Sequence, residues 1–158
     1  MLVKGIYDED FVNYKKPAMI ISFPKCSFKC DKECGQNVCQ NSQLAKQKSI
    51  EISYLDVVER YLRNKYTTAI VFGGLEPFDS PEDLVNLIRE FRKHTLDDIV
   101  IYTGYYEYEI DNFLLDFLKE SKNIIVKFGR FIPNSTSIYD EILGIKLASN
   151  NQFAKIIS

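Results

Sequence analysis

Hydrophobic positions follow two rhythms along this chain. Four short runs, at 18–23, 69–72, 99–102 and 124–128, are rich in Ile and Val and barely alternate with polar residues. Strands buried on both faces look this way, and such strands are usually parallel. Between the runs, apolar residues recur at helical spacing. Leu55, Val58 and Leu62 share one face, and Leu84, Leu87, Ile88 and Phe91 share a second. Ile110, Phe113, Leu114, Phe117 and Leu118 form a third, wider stripe. Two helix starts carry capping signals. Ser53 precedes Asp56 by three, and Ser80-Pro81-Glu82-Asp83 combines an N-cap, a first-turn proline and acidic residues. Strand and helix alternate throughout, which predicts an α/β fold with a right-handed parallel sheet. Asp8-Glu9-Asp10 belongs to an N-terminal hairpin or loop.

Every unusual loop follows a predicted strand. All four cysteines lie after the first, in Cys26-Ser27-Phe28-Lys29-Cys30, Cys34 and Cys39-Gln40-Asn41. Gly73-Gly74-Leu75-Glu76-Pro77 follows the second, Thr103-Gly104-Tyr105-Tyr106 the third and Gly129-Arg130-Phe131 the fourth. In a parallel sheet the carboxyl ends of the strands share one rim, where ligands bind.

Composition narrows the choices. The 158 residues fit one domain, 1–158, with a real core, and 46% hydrophobic with 27% charged residues is ordinary for a soluble globular protein. A net charge of −2 argues against nucleic acid or a membrane surface as the main partner. No apolar run approaches the roughly 18 residues of a membrane span. The start, Met1-Leu2-Val3-Lys4-Gly5 with acidic residues soon after, lacks a signal-peptide pattern, so a cytoplasmic location is expected. Thiols stay reduced there, and clustered cysteines are more often metal ligands than disulfides.

Thiolates hold soft metals and iron–sulfur clusters because sulfur is polarizable and donates strongly. Zinc is the competing reading, since four cysteines can form a tetrahedral site. Zinc sites usually show two close Cys-x2-Cys pairs, and this chain has none. The 73–77 segment reads either as a plain strand-to-helix turn or as a place where a ligand approaches the backbone closely. In the second reading Glu76 orients the turn or accepts from a ligand ammonium. The only histidine, His94, sits at a helix end, where a cation complements the dipole, and reads as a solvated cap.

Cys26-x3-Cys30 after strand one and Gly73-Gly74-Leu75-Glu76-Pro77 after strand two resemble the hallmarks of the radical S-adenosylmethionine enzymes. Val38-Cys39-Gln40-Asn41 is similar to the surroundings of that family's third cysteine, which makes Cys26, Cys30 and Cys39 the cluster ligands. Cys34 is then spare, or the third ligand in an alternative register. Within the superfamily the chain looks most like the small activating proteins of anaerobic ribonucleoside-triphosphate reductase. The similar segments are Ile101-Tyr102-Thr103-Gly104-Tyr105, Val126-Lys127-Phe128-Gly129-Arg130-Phe131 and Leu147-Ala148-Ser149-Asn150-Asn151-Gln152. The chain departs from the pattern in its long gap before Cys39, in Leu75 and Ala148 where glycines are expected, and in Phe128 in place of an aspartate.

The resemblance implies a partial, open (βα) barrel of parallel strands with helices outside. It implies a 4Fe-4S cluster whose open iron chelates the amino and carboxylate groups of S-adenosyl-L-methionine. An electron then breaks the carbon–sulfur bond homolytically, and the 5′-deoxyadenosyl radical abstracts a hydrogen. Gly73, Gly74 and Glu76 would bind the methionyl end, Val38 would pack on the adenine, and Thr103 would reach the ribose or carboxylate. Lys127 would offset carboxylate charge if it points to the rim, although a strand lysine is more often solvated. The implied partners are a glycyl-radical enzyme, such as anaerobic ribonucleotide reductase, and an electron donor such as flavodoxin or ferredoxin. Tyr105, Tyr106, Tyr108 and Phe131 are candidates for a docking surface or for core and rim positions. The alternative is an iron–sulfur or zinc regulatory module without radical catalysis.

Overall fold

The computed structural model describes residues 1–158. Its central sheet has six strands: β2 (Gly5–Asp10), β3 (Ala18–Phe23), β5 (Ala69–Gly74), β6 (Asp98–Tyr102), β7 (Ile124–Phe128) and β10 (Phe153–Ile156). Their order across the sheet is β10-β7-β6-β5-β3-β2. The inner four are parallel, and β2 and β10 pair antiparallel at the outside. The fold is therefore mixed α/β with a mainly parallel sheet, and the four apolar runs are its parallel strands. Asp8–Asp10 lie in β2, which forms the expected N-terminal hairpin with β3.

Three longer helices cover one face: α3 (Tyr54–Arg63), α4 (Pro81–Arg92) and α5 (Asn112–Glu120). Two short helices, α1 (Lys29–Cys34) and α2 (Ser42–Lys46), sit in the cysteine segment. Small two-stranded pairings complete the chain: β1 (Leu2–Val3) with β4 (Ile50–Glu51), and β8 (Ile138–Asp140) with β9 (Ile145–Leu147).

Side chains alternate across the sheet, so each strand feeds two cores. Met19, Ile21, Phe23, Ile70, Phe72, Ile99, Ile101, Ile124, Val126 and Phe128 pack with the helices in the larger one. Ala18, Ala69, Val71, Val100 and Ile125 pack on the other face against Tyr14, Leu143 and Leu147. Because the second face is covered by a loop and a hairpin, it leaves space for a cavity beside Val71, Tyr102 and Lys127.

The helix faces correct the sequence pattern in places. Leu84, Leu87, Ile88 and Phe91 are all fully buried, as expected. In α3, however, Leu55 and Leu62 are 48% and 46% exposed, while Val57, Val58 and Tyr61 are buried. The buried stripe lies one position off, because Tyr61 packs edge-on against Phe91 and sends its hydroxyl to Asp97 at 2.5 Å. In α5, Phe113 is exposed and Leu114 and Leu118 carry the contact. Ser53 caps α3 by accepting from the Asp56 N–H at 3.0 Å. Ser80 stands at the start of α4 but makes no side-chain cap bond, so Pro81 and the first-turn acids Glu82 and Asp83 mark that start.

These differences set an expected outcome. Leu87→Ala should destabilise the protein by about 2–5 kcal/mol. Leu62→Ala should stay within about 0.5 kcal/mol. Urea unfolding of the two variants compares them directly.

Candidate functional site

The four parallel strands end at one rim, and a cavity of about 680 Å³ opens there. Residues from all four odd loops line it: Cys26, Cys30 and Cys39 after β3, Gly74 at the end of β5 with Glu76 beyond it, Thr103 to Tyr105 after β6, and Gly129 and Phe131 after β7. Strand alternation supplies the floor. Ser22 pairs with Gly73, and Tyr102 with Lys127, all on the face opposite the helices.

The cysteine loop is shaped by an unusual backbone. Phe28 has φ 53, a left-handed conformation that is rare for a bulky residue. It turns the Phe28 N–H back toward Cys26 Sγ at 3.3 Å and starts α1. Cys30 Sγ accepts from the Phe131 N–H at 3.4 Å, so the loop after β7 reaches across to the cysteine helix. Cys39 is held from below, since Asp31 Oδ1 accepts from the N–H groups of both Val38 and Cys39 at 2.8 Å. Burial pushes the Cys26 thiol up to about 12, and Cys30 and Cys39 rise for the same reason. No three His, Cys, Asp or Glu side chains converge as they would around one ion.

The Gly-Glu-Pro turn is held by its own glutamate. Glu76 is 5% exposed. Its Oε1 accepts from the Phe78 N–H at 3.1 Å and from Thr103 Oγ1 at 2.8 Å, and its Oε2 accepts from the Gly104 N–H at 2.9 Å. Burial raises its carboxyl to about 7 against these stabilising bonds. Glu76 therefore fastens the β5 loop to the β6 loop. Gly74 has φ +74, and a Cβ there would sit 2.6 Å from Ser22 Cβ. The space its missing side chain leaves is taken by the neighbouring strand, so this position is closed to other residues.

Lys127 is buried at 6% exposure, not solvated as a strand lysine usually is. The alternation that puts Ile124, Val126 and Phe128 into the helix-side core sends Lys127 into the cavity. Its Nζ donates to the Gly129 carbonyl at 3.1 Å, and burial lowers the ammonium to about 8.

The structure thus brings together Cys26, Cys30, Cys39, Gly73, Gly74, Glu76, Thr103 and Lys127. It does not bring Val38 or Cys34 to the cavity wall. Val38 is half-buried, and Cys34 ends α1. Among the aromatics, Tyr105 and Phe131 line the cavity while Tyr108 is 83% exposed.

Sequence reasoning missed the residues that lock the rim. Asp79 accepts from the Ser27 N–H and from Tyr105 Oη, tying the cysteine loop to the β6 loop. Arg130 is buried, and its guanidinium meets Glu109 two-pronged at 2.5 and 2.6 Å. It also donates to the Gly104 carbonyl at 2.6 Å and lies 2.8 Å from Glu33 of α1. Ser149 and Gln152 bond the backbone of Ile132 and Gly129 from the C-terminal segment. Arg130, Ser149 and Gln152 stand in segments that the family resemblance singles out but had no role assigned, and Asp79, Glu109 and Glu33 carried no signal.

Three soft donors facing one cavity, two of them receiving a backbone N–H, suit an iron–sulfur cluster, whose thiolate charge such bonds offset. The family comparison agrees. Residues 19–153 match the model of the 4Fe-4S single cluster domain, and the chain belongs to that family. No curated protein matches the chain. No helix is long and apolar enough to cross a membrane.

The Glu109–Arg130 pair predicts an acid-sensitive rim. Its hydrogen bonds from Arg130 hold the Glu109 carboxyl at about 2, below its usual value of about 4.3. A depressed carboxyl gives stability that is complete above the unfolded value and disappears as pH falls through the folded one. Wild type should lose on the order of 1 kcal/mol more than Glu109→Gln between about pH 5 and pH 2, after allowing for solvent screening. Urea midpoints measured across that range read the difference.

Proposed function

We propose that this chain holds its 4Fe-4S cluster through Cys26, Cys30 and Cys39 and binds S-adenosyl-L-methionine beside it in the same cavity. The observation that supports this reading is the meeting of three thiols and the Gly-Glu-Pro turn at one rim. When bound, the pair supplies reductive cleavage of the sulfonium to a 5′-deoxyadenosyl radical, and the protein binds, orients and excludes water. A cavity of about 680 Å³ is large enough for a ligand of nucleoside size beside the thiols.

The chain's own groups have definite tasks in this reading. Glu76 keeps the 73–76 backbone in place so that the methionyl end lies against it. Its two oxygens are already engaged, so it acts by positioning. Thr103 supports the same carboxylate from the β6 side. Three cysteines leave one iron without a protein ligand, which is where the amino and carboxylate groups of the nucleotide would attach. The parallel strands would then be the core of a partial, open barrel. The substrate we favour is a glycyl-radical partner such as anaerobic ribonucleotide reductase, with flavodoxin or ferredoxin as electron source.

A regulatory iron–sulfur module is the second reading, favoured by the departures at Leu75 and in the long gap before Cys39. Anaerobic reconstitution separates the two. The enzyme should form 5′-deoxyadenosine from S-adenosyl-L-methionine after dithionite reduction; iron-loaded, folded protein that forms none supports the regulatory module.

The ligand register has its own test. Cys39→Ala should lose most of its bound iron and its absorbance near about 400 nm, whereas Cys34→Ala should retain them. The opposite pattern moves the third ligand to Cys34.

A further inference from the structure

A lysine ammonium buried with one carbonyl for a hydrogen-bond partner and a tyrosine ring 5.9 Å away costs free energy, since neutral groups poorly repay desolvation of a charge. Lys127 is in that position: Nζ bonds Gly129 O at 3.1 Å, and no carboxylate lies within ion-pair distance. The other cationic groups at the rim are already balanced or solvated. Lys29 pairs with Glu109 at 3.1 Å and lies 3.6 Å from the centre of the Tyr105 ring. Arg130 is bonded to Glu109 and paired with Glu33, and Lys146 is exposed. Lys127 is thus the buried cation of the cavity that makes no direct ion pair, with the Glu76 carboxylate acting on it only from beyond contact distance.

The same turn connects it to one thiol. Lys127 holds the Gly129 carbonyl, and two residues on, the Phe131 N–H bonds Cys30 Sγ. Cys30 and Lys127 line the same cavity, where the charge of each acts on the other. A cluster held by three thiolates is anionic as a whole, and reduction adds one further negative charge. In a buried site that added charge is stabilised by a nearby cation much more than it would be in water.

We propose that Lys127 tunes the cluster through Cys30: its buried ammonium raises the reduction potential and so makes the cluster easier to reduce. The proposal rests on Cys30 being a cluster ligand, and it holds with or without S-adenosyl-L-methionine cleavage. The step concerned is transfer of one electron from an external low-potential reductant to the oxidised cluster. No bond forms or breaks, and no proton is taken up. Lys127 is a positioning residue in this step, because it touches the ligand's surroundings and not the iron.

The experiment is an anaerobic redox titration of the full-length, reconstituted protein with dithionite. The reduced cluster is followed by its electron paramagnetic resonance signal, with no S-adenosyl-L-methionine added. Lys127→Met, Lys127→Gln and Lys127→Arg are compared with wild type at equal iron content. The neutral variants should be harder to reduce by about tenfold or more in the equilibrium constant, which for one electron is a fall of about 59 mV. Lys127→Arg should recover most of that shift. A lysine that only tethers the Gly129 loop would leave the potential of iron-loaded variants where wild type has it, and that result overturns the proposal. If one neutral variant does not fold, the other carries the comparison. If both fail, an unchanged potential in Lys127→Arg cannot rescue the idea, and it is abandoned. Wild type that takes up no iron removes the premise as well. Wild type with a cluster and the expected shift, but no 5′-deoxyadenosine in the separate assay, sinks the proposed catalysis and leaves the tuning role standing.

Discussion

The Glu76 carboxylate is buried under the rim and spends its hydrogen-bonding capacity on two loops. A carboxylate removed from water is costly unless several donors meet it. Here Phe78 N–H, Thr103 Oγ1 and Gly104 N–H supply them, so the cost becomes a constraint: the β5 and β6 loops must keep the spacing that lets all three reach it. Gly104 sits within this arrangement so tightly that a Cβ on it would come 3.3 Å from Cys30 Sγ. The position of one thiol thus depends on how one acid is satisfied.

Around this anchor the rim is sewn together by pairs that cross between loops. Asp79 links the cysteine loop to Tyr105, and Arg130 links the β7 loop to Glu109 and to Glu33 on α1. Two-pronged guanidinium–carboxylate contacts fix direction as well as distance. These contacts hold the cysteine segment against the sheet although its two helices, α1 and α2, bury no residue of their own. The segment is therefore ordered by polar contacts and, in the family's terms, by the cluster it holds, with little help from a hydrophobic core.

Much of this was legible in the sequence. Two of the four parallel strands, 18–23 and 124–128, begin and end at the expected residues, because a run of Ile and Val without polar alternation has few other stable uses. The face of α4 was equally clear. The face of α3 was not, because a tyrosine inside and a leucine outside both satisfy a helical period, and only the packing of Tyr61 on Phe91 chooses between them. At the site, Cys26, Cys30, Cys39, Gly73, Gly74, Glu76 and Thr103 line one cavity together with Lys127, which the sequence left more readily as a solvated strand residue, whereas Val38 stays off the wall.

Residue order by itself settled which segments become strands, that their carboxyl ends carry the unusual loops, and that thiols cluster after the first of them. Those features follow from local periodicity and from the geometry of parallel strands. Tertiary structure decided which of four cysteines face the cavity, that Glu76 is a fastener, and that Lys127 is buried. These depend on strand register and on partners far away in sequence, such as Ser22 beside Gly74 and Arg130 beside Glu109. A local pattern cannot encode such pairings, because their energy exists only once the loops have met.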